Sequence, residues 1–365
     1  MLSLTSSEGK LKAPRSRMTD TNLLTMITIV VFVAMYLYAY FALQQGFTKP
    51  QTMLNIISTN AYLIILACGM SLVMITGGID ISVGGVTALV SMSCAVYLDM
   101  HGGNVYVAML LAVGIGLAFG IIQGFLVAYL KIQPFIVTLA GMFFARGLTT
   151  IIHTNPFNVE NKDFIELKDS RVTLPDFLGS YTRKGRFIPA TIELGVVVAL
   201  IIVAVLFVVL KWTKLGRNFY AVGGNRQSAL MLGINTQRTV FVSHVICSLL
   251  AGIGGFVYFM HVGSGSPSHA TGAEMNAIAS AIIGGTMLTG GVGNIIGTLF
   301  GVLSLSLIQN IVSSVGLDQA WWTGITIAAM LCIFLVVQSI IIARRKKTNM
   351  KLAASKVPKP KEASS

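Results

Sequence analysis

Long apolar runs dominate the chain, and ten of them are long enough, or nearly so, to cross a bilayer as helices. About 20 apolar residues span the hydrocarbon core of a membrane in helical form. No run alternates apolar and polar residues as a membrane-spanning strand does. The sequence therefore predicts an all-α membrane protein with ten transmembrane helices. They are placed at residues 23–43, 53–76, 81–98, 105–130, 135–152, 191–210, 240–260, 275–288, 294–315 and 320–343, and the third and eighth are short.

The polar segments between these runs set the expected domain organisation. We expect a cytoplasmic tail at 1–22, a transmembrane domain at 23–343 and a basic cytoplasmic tail at 344–365. Within the transmembrane domain, 153–189 is expected to lie outside the membrane and 211–239 in the cytoplasm. The first span is too long for the apolar region of a signal peptide. Tyrosines and phenylalanine, rather than small cleavage-site residues, end it.

Composition supports a membrane protein. Hydrophobic residues make up 54% of the 365 residues and charged residues only 11%, and the mean hydropathy is +0.78. A soluble globular domain carries about 25% charged residues. These values exclude a soluble enzyme, a disordered chain and a nucleic-acid-binding protein, so no nucleic-acid partner is expected.

The positive charge reports orientation rather than binding to a polyanion. The formal net charge is +13, from 26 basic and 13 acidic residues. With the N-terminus in the cytoplasm, 18 of the 26 basic residues fall on the cytoplasmic side, and seven fall outside. That distribution follows the positive-inside rule, with both termini in the cytoplasm. The tail after residue 343 is read as a stop-transfer flank, with contact to anionic lipid as the alternative.

Glycines recur at intervals of four residues in two spans, where small residues let helix backbones approach closely. Segment 114–126 aligns with segment 291–303 at a constant offset of 177 residues. We interpret this as a five-plus-five inverted repeat, which is typical of transporters, with chance similarity between glycine-rich segments as the alternative. The glycines assigned to helix packing are Gly116, Gly120, Gly124, Gly293, Gly297 and Gly301.

Two glycine-rich polar stretches, 76–85 and 263–274, separate spans and are each followed at once by an apolar helix. Unwound backbone at membrane depth is tolerated only where it is buried in protein or lines a watery cavity. These stretches are therefore candidates for the substrate path. The alternative is an ordinary interfacial turn in which Asp80 or Ser82 caps the next helix, and the two roles are compatible.

Several kinds of chemistry have no signature in this sequence. The chain lacks the phosphate-binding motif G-x-x-x-x-G-K-[S/T], metal-ligand spacing among its five histidines, and a recognisable nucleophile motif. We therefore expect no catalytic residues, no metal and no cofactor in this chain. The few ionisable residues in the spans also argue modestly against an ion-coupled carrier.

The cytoplasmic segment between spans six and seven predicts a short helix at 226–232. Asn225 suits the N-cap position and Gly233 the position after the last turn. Because apolar side chains on a cytoplasmic helix favour a protein contact, we expect this helix to dock into another protein. A helix lying on the membrane surface is the alternative. The residues assigned to the docking segment are Asn225, Arg226, Ser228, Ala229, Leu230, Leu232 and Gly233.

Three motifs in order resemble the permease subunits of bacterial ABC sugar importers of the ribose, galactose and arabinose type. They are ITGGIDISVGG at 75–85, TKLGRNFYAVGGNRQSALMLGI at 213–234 and GAEMNAIASAIIGGTMLTGGVGNIIGT at 272–298. Segments 26–38 and 136–147 and the Trp321-Trp322-Thr323 start of the last span are similar, more narrowly, to permeases of galactofuranose importers.

The resemblance implies a permease subunit in the bacterial plasma membrane that carries a monosaccharide by alternating access. The sugar would be galactofuranose-like or another pentose or hexose. The implied partners are a second permease subunit, identical or different, cytoplasmic ATPase subunits that use ATP-Mg, and an extracytoplasmic sugar-binding protein. The 225–233 helix would be the coupling helix that contacts an ATPase. The alternative function is a stand-alone secondary carrier or facilitator for a small polar solute.

A small set of polar residues is expected to flank the sugar path, because sugars need several hydrogen-bonding groups and little charge. For Arg146, snorkelling to the surface or pairing with a carboxylate is the structural alternative. Asn276 stands where relatives often carry an acid, so no carboxylate role transfers to it. The path residues are Gly78, Asp80, Ser82, Arg146, Glu274 and Asn276.

Overall fold

The computed structural model describes residues 20–43, 46–176, 179–181, 187–316, 321–322, 324–336 and 339–340. Most of the predicted tail 1–22 and all of 344–365 lie outside the described residues. The α-helices of the described part are α1 Asp20–Tyr38, α2 Pro50–Thr59, α3 Ala61–Ile75, α4 Ser82–Asp99, α5 Val105–Ala128, α6 Pro134–Ile152, α7 Lys162–Asp169, α8 Leu194–Trp212, α9 Lys214–Gly224, α10 Arg226–Met231, α11 Thr236–Val262, α12 Ala273–Ile283, α13 Ile295–Ser314 and α14 Gly324–Val336.

The helical membrane fold is confirmed, whereas the count of ten transmembrane helices is not. Among the described residues, seven helices are long and apolar enough to cross a membrane, and an eighth candidate is the pair α2 and α3, bent by 56°. The amide of Asn60, at the bend, donates to the carbonyl of Ile56 at 2.8 Å. Helices α12 and α14 are apolar but shorter. The eighth predicted span, 275–288, is thus an 11-residue helix followed by irregular backbone.

Helix α3 is the centre of the bundle. Nearly every side chain along it is buried, as expected for a helix that is apolar on all sides. It runs antiparallel to α11, since Gly69 packs on Cys247 whereas Gly254 packs near Tyr62 and Leu66. The carboxyl ends of α3 and α11 therefore lie at opposite ends of the bundle.

Glycines set the spacing of two helix pairs. A Cβ at Gly116 would lie 2.5 Å from the carbonyl of Ser248 in α11, and one at Gly120 would lie 2.9 Å from Cα of Val245. Gly124 faces Phe241 in the same way. In α13, Gly301 packs against the carbonyl of Ser280 in α12. Gly297 packs against the carbonyl of Gly284, the residue that follows α12. Gly293 precedes α13 and contacts the side chain of Ile75.

The 177-residue offset between the glycine motifs does not pair equivalent helix positions. Residues 114–117 lie in the middle of α5, whereas 291–294 precede α13. The helix starts correspond better 190 residues apart, where Asn104 and Asn294 are both N-caps. Each asparagine side chain accepts from the backbone N–H two residues later, at 2.8 and 3.0 Å. The glycine spacing reflects close packing in each helix, and the inverted repeat stays a prediction.

The segment expected as a loop at 153–189 has structure in its described part. It holds α7 and strands β1 Phe157–Asn158, β2 Arg171–Thr173, β3 Ser180–Tyr181 and β4 Phe187–Ile188. Strand β5 Thr191–Glu193 follows, and β6 Ser264–Gly265 comes after α11. The antiparallel pairs are β1–β6, β2–β5 and β3–β4. Phe164 of α7 is buried and stacks on Phe259 of α11 at 4.3 Å, so this segment is fastened to the end of α11.

Candidate functional site

A buried carboxylate organises the break between α3 and α4. Asp80 is fully buried, and its Oδ1 accepts from the backbone N–H of Ser82 at 3.0 Å and from the Ser82 hydroxyl at 2.6 Å. Ser248 of α11 donates to Oδ2 at 3.3 Å. Both roles weighed for Asp80 are therefore compatible with its position: it satisfies the first turn of α4 and sits inside the bundle.

Asp80, Ser82 and Ser248 form what we call the inner polar cluster. Gln123 of α5 extends it. The side-chain amide is buried and lies 3.1 Å from the Ser82 hydroxyl. Ser82 has one hydroxyl proton, which the nearer Asp80 oxygen accepts, so the amide fits the contact when its NH₂ end faces Ser82. Gln123 also faces Gly141 of α6, where a Cβ would overlap its amide. Gln123 is absent from the predicted set, because it is a single polar residue within an apolar run.

The end of α3 and helix α11 add polar side chains to the inner polar cluster. Thr76 Oγ1 donates to the carbonyl of Val73 at 2.8 Å and lies 3.1 Å from Ser243 Oγ. His244 is fully buried, with Nδ1 3.0 Å from the carbonyl of Val240. These side chains are also absent from the predicted set. The sequence signal that could have identified them is a polar residue within an apolar span.

The second break, between α11 and α12, is held by an arginine. Arg146 of α6 donates to the carbonyls of Pro267, His269 and Ala270 at 3.3, 2.6 and 3.0 Å. These carbonyls belong to unwound backbone, so the guanidinium supplies donors that a helix would otherwise provide. The structure thus places Arg146 inward on irregular backbone, rather than snorkelling outward.

Glu274 lies near the same break at the start of α12. Its side chain is buried, and Oε2 has no hydrogen-bond partner among the described residues. A Cβ at Gly84 of α4 would overlap that oxygen, so a larger residue there would displace the carboxylate. Asn276 is half-buried, and its neighbour Met275 is exposed, so Asn276 does not share the buried face of Glu274.

The predicted path residues therefore fall into two groups. Gly78, Asp80 and Ser82 lie at the break that follows α3, whereas Arg146 and Glu274 lie at the break that follows α11. The second break folds back along α4, because the Ala270 carbonyl and the Glu274 carboxylate lie beside Gly84, two residues after Ser82. The two groups are therefore neighbours along the first turns of α4. Each break is tied internally by buried polar side chains of neighbouring helices.

The predicted docking segment forms the short helix α10. The Asn225 side chain accepts from the N–H of Ser228 at 2.8 Å, and Gly233 has a φ of +78°, which suits a residue without a Cβ. Ala229 is buried against Val127, Val222 and Val240. The rest of the segment is turned outward, namely Arg226, Ser228, Leu230, Met231 and Leu232.

An amphipathic helix, α9, precedes α10 and was not predicted. Thr213 caps it by accepting from the N–H of Gly216 at 3.2 Å, and its buried side is formed by Phe219 and Val222. Tyr220 donates to the carbonyl of Gly293 at 2.8 Å, and burial raises the pKa of Tyr220 to about 12. The docking helix thus rests on a second helix that is itself bonded to the start of α13.

A cavity of about 870 Å³ opens beside α10. Its walls are the end of α3 with residues 76–78, the turn 131–134 between α5 and α6, helix α10, and the first turns of α11. We call it the α10 cavity. Gly78 and His244 lie at its inner end, so it leads from the docking helix toward the inner polar cluster.

Long apolar helices, two irregular breaks tied by buried polar groups and an outward-facing short helix together define a multi-pass membrane transport protein. The family model described as branched-chain amino acid transport system / permease component matches residues 52–335. The chain belongs to this permease family and is a transport subunit of the plasma membrane, not an enzyme.

Curated relatives match most of the chain. The inner membrane ABC transporter permease protein YjfF of Escherichia coli is 36% identical over 88% of this chain and 93% of its own. The fructose import permease protein FruG of Bifidobacterium longum is 32% identical over 93% of this chain and 98% of its own. The ribose import permease protein RbsC of E. coli is 32% identical over 83% and 88%. No solved structure matched the chain.

Proposed function

We propose that this chain is the permease subunit of an ATP-driven importer that carries a monosaccharide across the plasma membrane. The observation that carries the proposal is membership of the permease family together with relatives named as ribose and fructose import permeases. The proposed substrate is a galactofuranose-like sugar or another pentose or hexose. The residues at the two breaks offer several hydrogen-bonding groups, and the Arg146 cation offsets part of the charge of the two carboxylates, which supports a neutral, hydroxyl-rich solute.

The proposed topology has ten spans, with both termini in the cytoplasm and the two halves in an inverted five-plus-five repeat. In this arrangement α12 and α14 count as shortened spans, 153–189 lies outside and 211–239 lies in the cytoplasm. The antiparallel packing of α3 and α11, each followed by a polar break, supports an inverted relation between the halves. The basic segment 344–365 is the proposed C-terminal cytoplasmic tail.

The proposed sugar path runs between the two breaks. Gly78, Asp80 and Ser82 flank it at the break that follows α3, and Arg146, Glu274 and Asn276 flank it at the break that follows α11. A subunit that receives sugar from a binding protein does not need tight binding, so a few polar groups at each break suffice. Movement would loosen one break while the other stays closed, which is the requirement of alternating access.

The proposed coupling element is the segment from Asn225 to Gly233. Leu230, Met231 and Leu232 are 56%, 80% and 78% exposed, and such a patch on a rigid helix suits a groove in a partner. In the proposed complex, ATP-Mg is bound by the ATPase subunits and this chain holds no cofactor. A second permease subunit and an extracytoplasmic sugar-binding protein complete the complex.

Reconstitution tests the proposal directly. The chain is placed in proteoliposomes either alone or with its ATPase, second permease and sugar-binding protein, and uptake of labelled galactofuranose, ribose and fructose is measured. We expect uptake only when all the proteins are present and only when ATP-Mg is on the side of the membrane that carries the ATPase subunits. Uptake by the chain alone without ATP would overturn the importer proposal and favour a stand-alone carrier or facilitator.

A further inference from the structure

We infer that the α10 cavity binds a sugar phosphate on the cytoplasmic side of the permease. The inference rests on the proposed function, because that function places α10 in the cytoplasm and brings a sugar there. The cavity, at about 870 Å³, lies in the size range of small-molecule sites and is larger than a monosaccharide requires.

The lining of the α10 cavity carries positive charge without any acid. Lys131 and Arg226 both line it and are exposed, and none of its lining residues is Asp or Glu. Neither cation has an ion-pair partner in the part of the chain that the structure describes. Helix dipoles do not decide the sign, because carboxyl ends of α3 and α5 and amino ends of α6 and α11 all reach the cavity.

Basic residues at the cytoplasmic ends of spans are expected from topology alone, so a second observation is needed. That observation is His244, which is fully buried at the inner end of the cavity. Nδ1 contacts the carbonyl of Val240 and therefore carries the proton, which leaves Nε2 as an acceptor. Nε2 has no hydrogen-bond partner among the described residues. A hydroxyl group is the partner that this nitrogen lacks.

The two ends of the cavity thus require different groups of one ligand. A phosphate monoester carries about −1.5 to −2 charge at pH 7 and suits the two cations at the mouth. A hydroxyl suits the acceptor at the inner end, which the ligand reaches when the turn at Gly78, packed against the His244 ring, moves aside. Gln133 and Gln237 also line the cavity. A sugar phosphate carries a charged phosphate and separate hydroxyl groups, whereas inorganic phosphate has no hydroxyl outside the phosphate itself and a neutral sugar has no charge.

Binding at this position would act on the coupling element. Arg226 and Leu230 belong to α10 itself, while Lys131 belongs to the turn between two spans. A ligand bridging them would restrain α10 relative to the bundle. The phosphorylated form of an imported sugar would then slow further import, which is feedback from the compartment that receives the sugar.

Binding to the assembled importer in phosphatidylcholine nanodiscs tests the inference. The probes are galactose 6-phosphate, galactose and inorganic phosphate, measured by titration calorimetry. We expect galactose 6-phosphate to bind at least tenfold more tightly than the other two. Lys131→Gln should weaken that binding about tenfold. Lys214→Gln, which removes an exposed α9 charge outside the cavity lining, should leave it unchanged.

Several results would overturn the inference. They are absence of galactose 6-phosphate binding, equal binding of inorganic phosphate or galactose, and binding that Lys131→Gln does not weaken. Nanodiscs containing phosphatidylglycerol distinguish a lipid source of the same phosphate chemistry, since loss of sugar phosphate binding there would assign the site to a headgroup. ATP-driven uptake measured in the same preparation without sugar phosphate reports separately on the proposed function.

Discussion

Single glycines decide how closely the helices of this permease approach. A Cβ at Gly116 would meet the carbonyl of Ser248 at 2.5 Å, and backbone cannot move aside as a flexible side chain can. By contrast, a Cβ at Gly114, half a turn away in α5, would meet nothing within 4 Å. The same residue type therefore has opposite constraints two positions apart.

Gly116→Ala should destabilise the permease by about 1–3 kcal/mol, which is the usual cost of overpacking a filled interior. Gly114→Ala is the matched control, and it should be neutral or stabilising by up to about 1 kcal/mol because alanine favours the helix. Thermal unfolding of both variants in the same detergent measures the difference. Equal melting temperatures would contradict the packing described for α5 and α11.

Asp80 supplies the second test at this scale. Asp80→Asn keeps the size of the side chain but weakens the acceptor for Ser82 and Ser248, and it removes the buried charge. We expect transport to fall at least tenfold while the protein still assembles with its partners. Asp163→Asn, at an exposed acid of α7, is the control. Normal uptake by correctly assembled Asp80→Asn protein would remove Asp80 from the proposed path.

Residue identity in the sequence was enough to locate the breaks but not the side chains that hydrogen-bond to them. Asp80 and Ser82 were predicted beside unwound backbone because acids, serines and glycines cluster there. Gln123 and Ser248 were not, since each is a single polar residue within an apolar run. Their partners come from helices far apart in the chain, and only the packed structure brings those helices together.

At the scale of elements, α10 combines one buried side chain with an exposed apolar edge. Ala229 packs inward, whereas Met231 and Leu232 point away from the bundle. Its caps were predicted from Asn225 and Gly233, because capping is a local interaction. The supporting helix α9 was missed because its glycines and polar residues are typical of a loop, and its helical form depends on burial of Phe219.

The exposed edge of α10 makes a prediction about coupling. The double variant Met231→Ser with Leu232→Ser should leave folding of the permease unchanged, because both side chains are exposed. Sugar-stimulated ATP hydrolysis by the complete importer should fall at least tenfold. Ala229→Leu, in contrast, should lower thermal stability because that position is filled.

Unchanged stimulation of ATP hydrolysis in the double variant would show that another surface carries the contact. Co-purification with the ATPase distinguishes loss of docking from loss of signal transmission. Both readouts are made on the complete complex in nanodiscs, so failed assembly is seen directly.

At the scale of the whole molecule, apolar length predicted a helical membrane bundle but not the form of every span. The predicted second span is two helices meeting at 56°, and the predicted eighth is an 11-residue helix. Hydropathy reports only which residues avoid water. Bends and unwound turns depend on neighbouring helices that satisfy the freed backbone groups.

Labelling of single cysteines with a membrane-impermeant maleimide tests the proposed topology. Among the described cysteines, Cys68, Cys94 and Cys247 are buried and Cys332 is exposed, so Cys332→Ser provides the background. We expect Glu166→Cys to react in intact cells and Ser228→Cys to react only after permeabilisation. The opposite pattern would show that the orientation is reversed. Reaction of both variants in intact cells would contradict the proposed number of spans between the two positions.

The break that follows each of α3 and α11 has a consequence for local unfolding of the molecule. The breaks that follow these helices are fastened by separate side chains, Asp80 in the first and Arg146 in the second. We expect both breaks to open locally at a lower free energy than the buried helix α3, because their backbone lies outside regular helix. Amide exchange should therefore show two fast zones separated by a slow one, with α3 as the slowest segment.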